Sequence, residues 1–142
     1  MVKGYPDWQY IILHHSATTD GQTNDWDGIW KYHTEVQKWS TIGYNFGIEE
    51  VNGILKYRIG RPLNITGGHT KGMNETAIGI CLVGNYDVTI PTIAQCQKLI
   101  TLCKMLMEMF GIPKENIKRH SEYSPKTCPG NLFKIDQIIE YL

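Results

Sequence analysis

The stretch Arg119-His-Ser-Glu-Tyr-Ser-Pro-Lys-Thr-Cys-Pro-Gly130 gathers a histidine, a carboxylate, a lysine and a cysteine within the nine residues from His120 to Cys128. Pro125 and Pro129 fix the backbone dihedral around them, so the loop is stiff enough to hold a site. Imidazole nitrogen and thiolate suit a borderline-soft ion such as zinc, which in catalytic sites takes three protein ligands and leaves a fourth position to water. His120 and Cys128, with seven residues between them, do not complete such a set. A third ligand must come from elsewhere. Glu122 is either a base or a carboxylate that orients His120 from behind or serves the structure, and the latter fits better because metal-bound histidines commonly lean on carboxylates.

The remaining histidines are His14, His15, His33 and His69. Tyr10-Ile-Ile-Leu13 is a short apolar run rich in strand formers that stops at His14-His15-Ser-Ala-Thr18, the pattern of a buried strand delivering polar groups at its end. Sites gather at strand ends in parallel sheets. Successive side chains on a strand point to opposite faces, so only one of His14 and His15 reaches a given metal. Spacing alone does not choose between them.

Five ordered stretches carry a resemblance: Leu13-His-His-Ser-Ala-Thr18, Trp39 through Gly43-Tyr-Asn-Phe46, Gly68-His-Thr-Lys-Gly-Met-Asn74, Ile78-Gly-Ile-Cys-Leu-Val-Gly84, and His120 through Pro129. Together, over about residues 10–133, they resemble the zinc-dependent N-acetylmuramoyl-L-alanine amidases, most closely the phage lysozymes of amidase type, whose relatives include the peptidoglycan recognition proteins. The resemblance implies one zinc ion on His14, His120 and Cys128, and a substrate amide joining N-acetylmuramic acid to L-alanine in peptidoglycan. It implies Tyr44 beside the zinc, positioning water or passing a proton to the departing amine, and Lys126 donating to the tetrahedral oxyanion. It also implies His69 and Asn74 lining the groove for the peptide stem. Without it, Tyr44 would read as packing and Lys126 as a solvated loop lysine. Some branches carry a catalytic glutamate where this chain has Cys81, so the general base must be sought elsewhere.

The elements that must position these groups are legible in outline. Asn24 or Asp25 caps a helix running to about Gln37, with Trp26, Ile29, Trp30, His33 and Val36 or Gln37 at helical spacing. His33 on that stripe reads as a packed, hydrogen-bonded residue. The polar connection from Asp20 to Asn24 precedes it. Gly43 to Val51 alternates, turns at Asn52-Gly53 and resumes over Ile54 to Ile59, a strong hairpin signal. Adjacent Glu49 and Glu50 do not form a glycosidase pair, since neighbours on a strand face opposite ways. Gly60 to Asn74 reads as an ordered loop over the site.

Thr76 to Gly84 is an apolar run with little alternation, hence a central strand covered on both faces, with Cys81 as a small core residue. Thr92 and Gln95 form a capping box ahead of the longest helix, with an apolar stripe from Ile93 to Phe110, ended by Gly111 and Pro113. A short strand over about Ile117 to His120 and a closing helix from Leu132 to Leu142 complete the chain. Strands alternating with helices, plus one hairpin, predict a single α/β domain with a central mixed sheet flanked by helices, spanning residues 1–142 without a separate wall-binding domain. That architecture sets the ends of the first and last strands side by side.

Composition closes off other classes. At 142 residues and 42% hydrophobic, the chain is large enough for one core without staples. Lys+Arg and Asp+Glu both number 14, so bulk charge gives no reason to bind nucleic acid. No window approaches the apolar length of a membrane helix, and no membrane insertion is expected. The four cysteines read as thiols: Cys96 and Cys103 lie too far apart on one helix to bridge. The expected product is a monomer made in the cytoplasm without a signal peptide and acting on the bacterial wall. A peptidoglycan-binding module without activity is the alternative, yet that branch typically lacks the cysteine ligand that Cys128 supplies. A purely structural zinc protein would leave no purpose for an open position beside Tyr44 and Lys126.

Overall fold

Two surfaces of one sheet organise the chain. The computed structural model describes residues 1–17 and 25–142; Thr18, the connection through residues 20–24 and Asn24 as an alternative cap lie outside them. Strands β1 (Tyr10–His15), β2 (Phe46–Val51), β3 (Ile54–Ile59), β4 (Ala77–Leu82) and β5 (Ile117–Arg119) form a five-stranded sheet in the order β3-β2-β4-β1-β5. Only the β2–β3 hairpin is antiparallel; β2, β4, β1 and β5 run parallel. The expected mixed α/β sheet is therefore present, with β4 at its centre and every residue of that strand buried.

The hairpin turn follows from its residues: Asn52 and Gly53 both take positive φ, at 52° and 80°, as the tight turn between twisted strands requires. Helix α1 (Trp26–Lys31) starts where the Asp25 carboxylate accepts from Gly28 N at 2.7 Å. Its continuation is a π turn over Tyr32–Val36, closed by Gln37 N donating to Tyr32 O, so the expected helix to Gln37 loosens half-way. Val36 consequently turns out to solvent rather than joining the buried stripe. Helix α2 (Ile93–Phe110) has the Thr92–Gln95 capping box, and Gly111 ends it in the left-handed conformation. Its first stripe residue, Ile93, is exposed; Leu99, Leu102, Cys103 and Leu106 carry the packing.

Helix α3 covers only Ile135–Ile139, shorter than the expected 132–142. The reason is local: Leu132 N donates to Tyr86 O and Phe133 N to Gly130 O, so these amides tie the chain to the site loop instead of opening a helix. Helices α2 and α3 lie on one face, where Ile11, Leu13, Ile78, Ile80 and Leu82 meet Leu99, Leu106, Phe133 and Ile138. A smaller cluster on the other face joins Trp26, Ile42 and Cys81, with Tyr44 packed against it. Cys81 is thus a buried core residue, and all four cysteines are free thiols. Glu49 is buried by design of this second face: it accepts from Trp26 N and pairs with Arg58, which also reaches Asp27. It serves the fold, not catalysis.

Gly47 of β2 leaves the room that the Trp26 indole fills. A Cβ there would lie 2.2 Å from Trp26 Cζ3 and 2.4 Å from Cε3. Gly47→Ala should therefore cost about 1–3 kcal/mol of stability by overpacking, read as a lowered denaturant midpoint at unchanged slope.

Candidate active site

The carboxyl ends of β4, β1 and β5 share one edge of the sheet, the edge where parallel sheets hold ligands. The register Leu13↔Arg119 makes His14 and His120 the next residues out on neighbouring strands, and their rings approach to 4.5 Å between centroids. A short 3-10 turn over His120–Glu122 then bends the chain away, so the strand ends at Arg119 rather than at His120.

Alternation separates the two adjacent histidines. His14 emerges on the α1 face beside Tyr44 and His69, with ring centroids 5.0 Å from each. His15 turns to the other side, where its Nδ1 accepts from Tyr86 N at 3.0 Å. Among the described residues one group could hold a metal ion: His14, His120 and Cys128, whose ligand atoms all lie within 4.8 Å of one another. Cys128 Sγ stands 3.7 Å from His14 Nδ1 and accepts from His15 N at 3.3 Å. His120 Nδ1 is buried without a hydrogen-bond partner, which a neutral imidazole nitrogen tolerates poorly unless it faces an ion. Two imidazoles and a thiol are the donor set of a borderline-soft metal.

Electrostatics favour the neutral form of all three groups. Burial pushes His14 well below the ordinary histidine value, and the neighbouring His69, His120 and His15 push it further. Burial likewise lowers His120, helped by Lys126. His69 falls to about 4, chiefly by burial. Burial raises the Cys128 thiol to about 11, against the opposing pull of its bond from His15 N and of Lys126 and Arg119.

The metal loop is held by groups that sequence reasoning missed. The Arg119 guanidinium donates to Phe133 O, to Gly130 O at 2.6 Å and to Ser121 Oγ at 3.2 Å. From the other side, the Asp87 carboxylate accepts from Thr127 Oγ1 at 2.7 Å and Asn131 N at 2.8 Å, and these bonds hold it below the usual carboxylate range. Ser121 N donates to Cys128 O, closing the loop on the His120 turn. Nothing in the spacing of Asp87 marked it, because its partners lie some forty residues away. Glu122 accepts from Arg119 N at 2.8 Å and faces Lys118, so it caps the turn and does not orient His120.

The site opens into a groove of about 900 Å³. Tyr44, His120, Lys126, Thr127 and Cys128 line it, together with Lys31 at the end of α1 and Tyr32, Glu35 and Val36 of the π turn. Burial, with the nearby Cys81 and Cys128 thiols, raises the Tyr44 phenol well above its ordinary value. It therefore stays protonated as a donor. His33 is packed and hydrogen-bonded, as expected, with Nδ1 accepting from Gly43 N at 3.0 Å and its ring against Trp39 and Tyr44, but it is half-buried and also lines the groove. His69 and Asn74 are not among the groove-lining residues; the His69 ring stands behind His14, and Asn74 Oδ1 accepts from His69 N and Thr70 N.

The family model of N-acetylmuramoyl-L-alanine amidase matches residues 4–131. The chain belongs to that amidase family. It is 34% identical over 123 residues to the endolysin of Enterobacteria phage K11, and 34% identical over 126 residues to that of Escherichia phage T7, covering 84% of this chain and 79% of the relative in both cases. Among solved structures, the N-acetylmuramoyl-L-alanine amidase LysC from Clostridium intestinale superposes with a TM-score of 0.81 at 31% identity, covering 95% of this chain and 84% of that one. The chain is thus a peptidoglycan amidase of the endolysin kind, with the mixed sheet of that family.

The amidase site makes a specific statement about protons. With both histidines shifted toward the neutral form and the Cys128 thiol still protonated, binding a divalent ion at pH 6 should release the thiol proton and fewer from the histidines than their ordinary values would give. Histidines at their ordinary value would add roughly one or two more at that pH. Titration calorimetry of the metal-free protein with zinc, in buffers of different ionisation enthalpy, counts them.

Proposed function

We propose that His14, His120 and Cys128 hold one zinc ion and that Tyr44 and Lys126 act on the scissile amide beside it. The observation that supports this reading most directly is the buried, unpartnered His120 Nδ1 converging with the other two donors at the floor of an open groove. When bound, zinc supplies Lewis acidity, polarising a carbonyl and bringing the pKa of a water towards about 7.

The chain's own residues then divide the work. Lys126 is exposed on the groove wall next to His120 and Cys128, where its ammonium can donate to the oxygen that gains charge as the amide carbonyl turns tetrahedral. Tyr44 keeps its proton and faces the same groove, so it orients the attacking water or delivers a proton to the departing L-alanine amine. No carboxylate is assigned as base: Glu49 is tied to Arg58 and Glu122 caps its turn. The π turn gives the glycan and peptide a second wall. A monomer made in the cytoplasm and acting on the bacterial wall completes the reading, in keeping with the endolysin relatives.

Purified peptidoglycan separates the chemistries. New amino termini beginning with L-alanine should appear, vanish with a chelator and return with zinc; new reducing sugars in their place would refute the amidase assignment. Lys126→Ala should keep its metal and lose about 10²–10³ in kcat. Cys128→Ala should lose metal and activity together. Metal content measured alongside rate distinguishes the two losses.

A further inference from the structure

His69 is hydrogen-bonded on both ring nitrogens inside the fold. Its Nε2 lies 2.9 Å from Ala77 O, and a carbonyl only accepts, so Nε2 carries the proton. A neutral ring with Nε2 protonated has a bare Nδ1. That Nδ1 sits 2.9 Å from His14 Nε2 and 2.9 Å from Thr70 Oγ1. His14 Nε2 must then be the donor, which leaves the lone pair of His14 Nδ1 free on the side of Cys128.

The surroundings are shaped for this ring. Gly79 interrupts the apolar run of β4 where the imidazole lies: a Cβ there would stand 2.5 Å from both Cγ and Cδ2 of His69. A Cβ on Gly67 would come within 2.7 Å of the same Cδ2. Asn74 fixes the backbone beneath it by accepting from both His69 N and Thr70 N through Oδ1. Neither ring nitrogen is left over for a ligand in the groove, whose lining omits His69.

We propose that His69 is a positioning residue for the metal centre: through the chain Ala77 carbonyl, His69, His14, it sets the tautomer and ring orientation of His14 so that Nδ1 faces the ion. This rests on the zinc reading above. It differs from a contact with the peptide stem, because His69 acts through His14 and not on substrate. Metal-bound imidazoles usually lean on a carboxylate, a backbone carbonyl or water; here a second imidazole is inserted between the ligand and the carbonyl.

The first test uses the parent protein without metal. A long-range 1H–15N spectrum should show His14 protonated on Nε2 and His69 protonated on Nε2; a His14 protonated on Nδ1 would overturn the proposal without any variant having to fold. The second test uses His69→Ala and His69→Gln, each checked for native circular dichroism. Zinc affinity, measured against a chromogenic chelator, should fall about 10- to 100-fold in His69→Ala. His69→Gln, whose amide offers both an acceptor and a donor, should recover part of that loss. Affinity within about twofold of the parent in His69→Ala, together with lost binding of a soluble N-acetylmuramyl-L-alanyl peptide, would make His69 a substrate contact and overturn the proposal. Peptidoglycan hydrolysis by the parent is assayed separately. If zinc affinity and tautomers are as stated but no L-alanine termini appear, the amidase mechanism fails and the role of His69 stands.

Discussion

The parallel pairing of β1 with β5 is the constraint on which the site depends. Because Leu13 is registered with Arg119, the next residue on each strand is a histidine, and both leave the sheet at the same edge. Pairing has a period of two, so a slip of one residue would send His14 to the α2 face and bring His15 into its place. Register here is fixed by burial: Ile11 and Leu13 must meet Ile78, Ile80 and α2, while Ile12 must lie on the opposite side. The hydrophobic core thereby decides which of two chemically identical side chains joins His120 and Cys128.

Much of this arrangement could be read from the residues, and the parts that could not share a physical character. The Asn52-Gly53 hairpin, the Thr92–Gln95 cap and the apolar run of β4 are local signals, and local signals survived folding intact. His33 as a packed residue was also legible, from its place on a helical stripe. The choice of His14 over His15 needed the identity of the face each strand residue takes, and only the resemblance supplied it. The shortened α3 was invisible because it depends on Tyr86 and Gly130 carbonyls claiming the amides of Leu132 and Phe133. The same holds for Asp87 and for the location of His69 behind His14. Each is a contact between segments with nothing in sequence to announce it.

The loop bearing Cys128 is held here by charge rather than by regular structure. Arg119, immediately before His120, directs its guanidinium to the carbonyls that follow Cys128, and Asp87 takes the hydroxyl and amide on the far side. Arginine suits this position because its planar fork serves several acceptors at once. The two clamps are of opposite sign and reach the loop from the end of β5 and from the turn after β4, so the relative placement of His120 and Cys128 is set without a disulfide.

Burial that holds the Cys128 thiol up at about 11 also governs how the sulfur ages. The thiolate is the form that attacks peroxides and disulfides, and this shift keeps the sulfur in its less reactive thiol form at pH 7. That disfavours oxidation of this sulfur relative to an exposed, low-pKa cysteine.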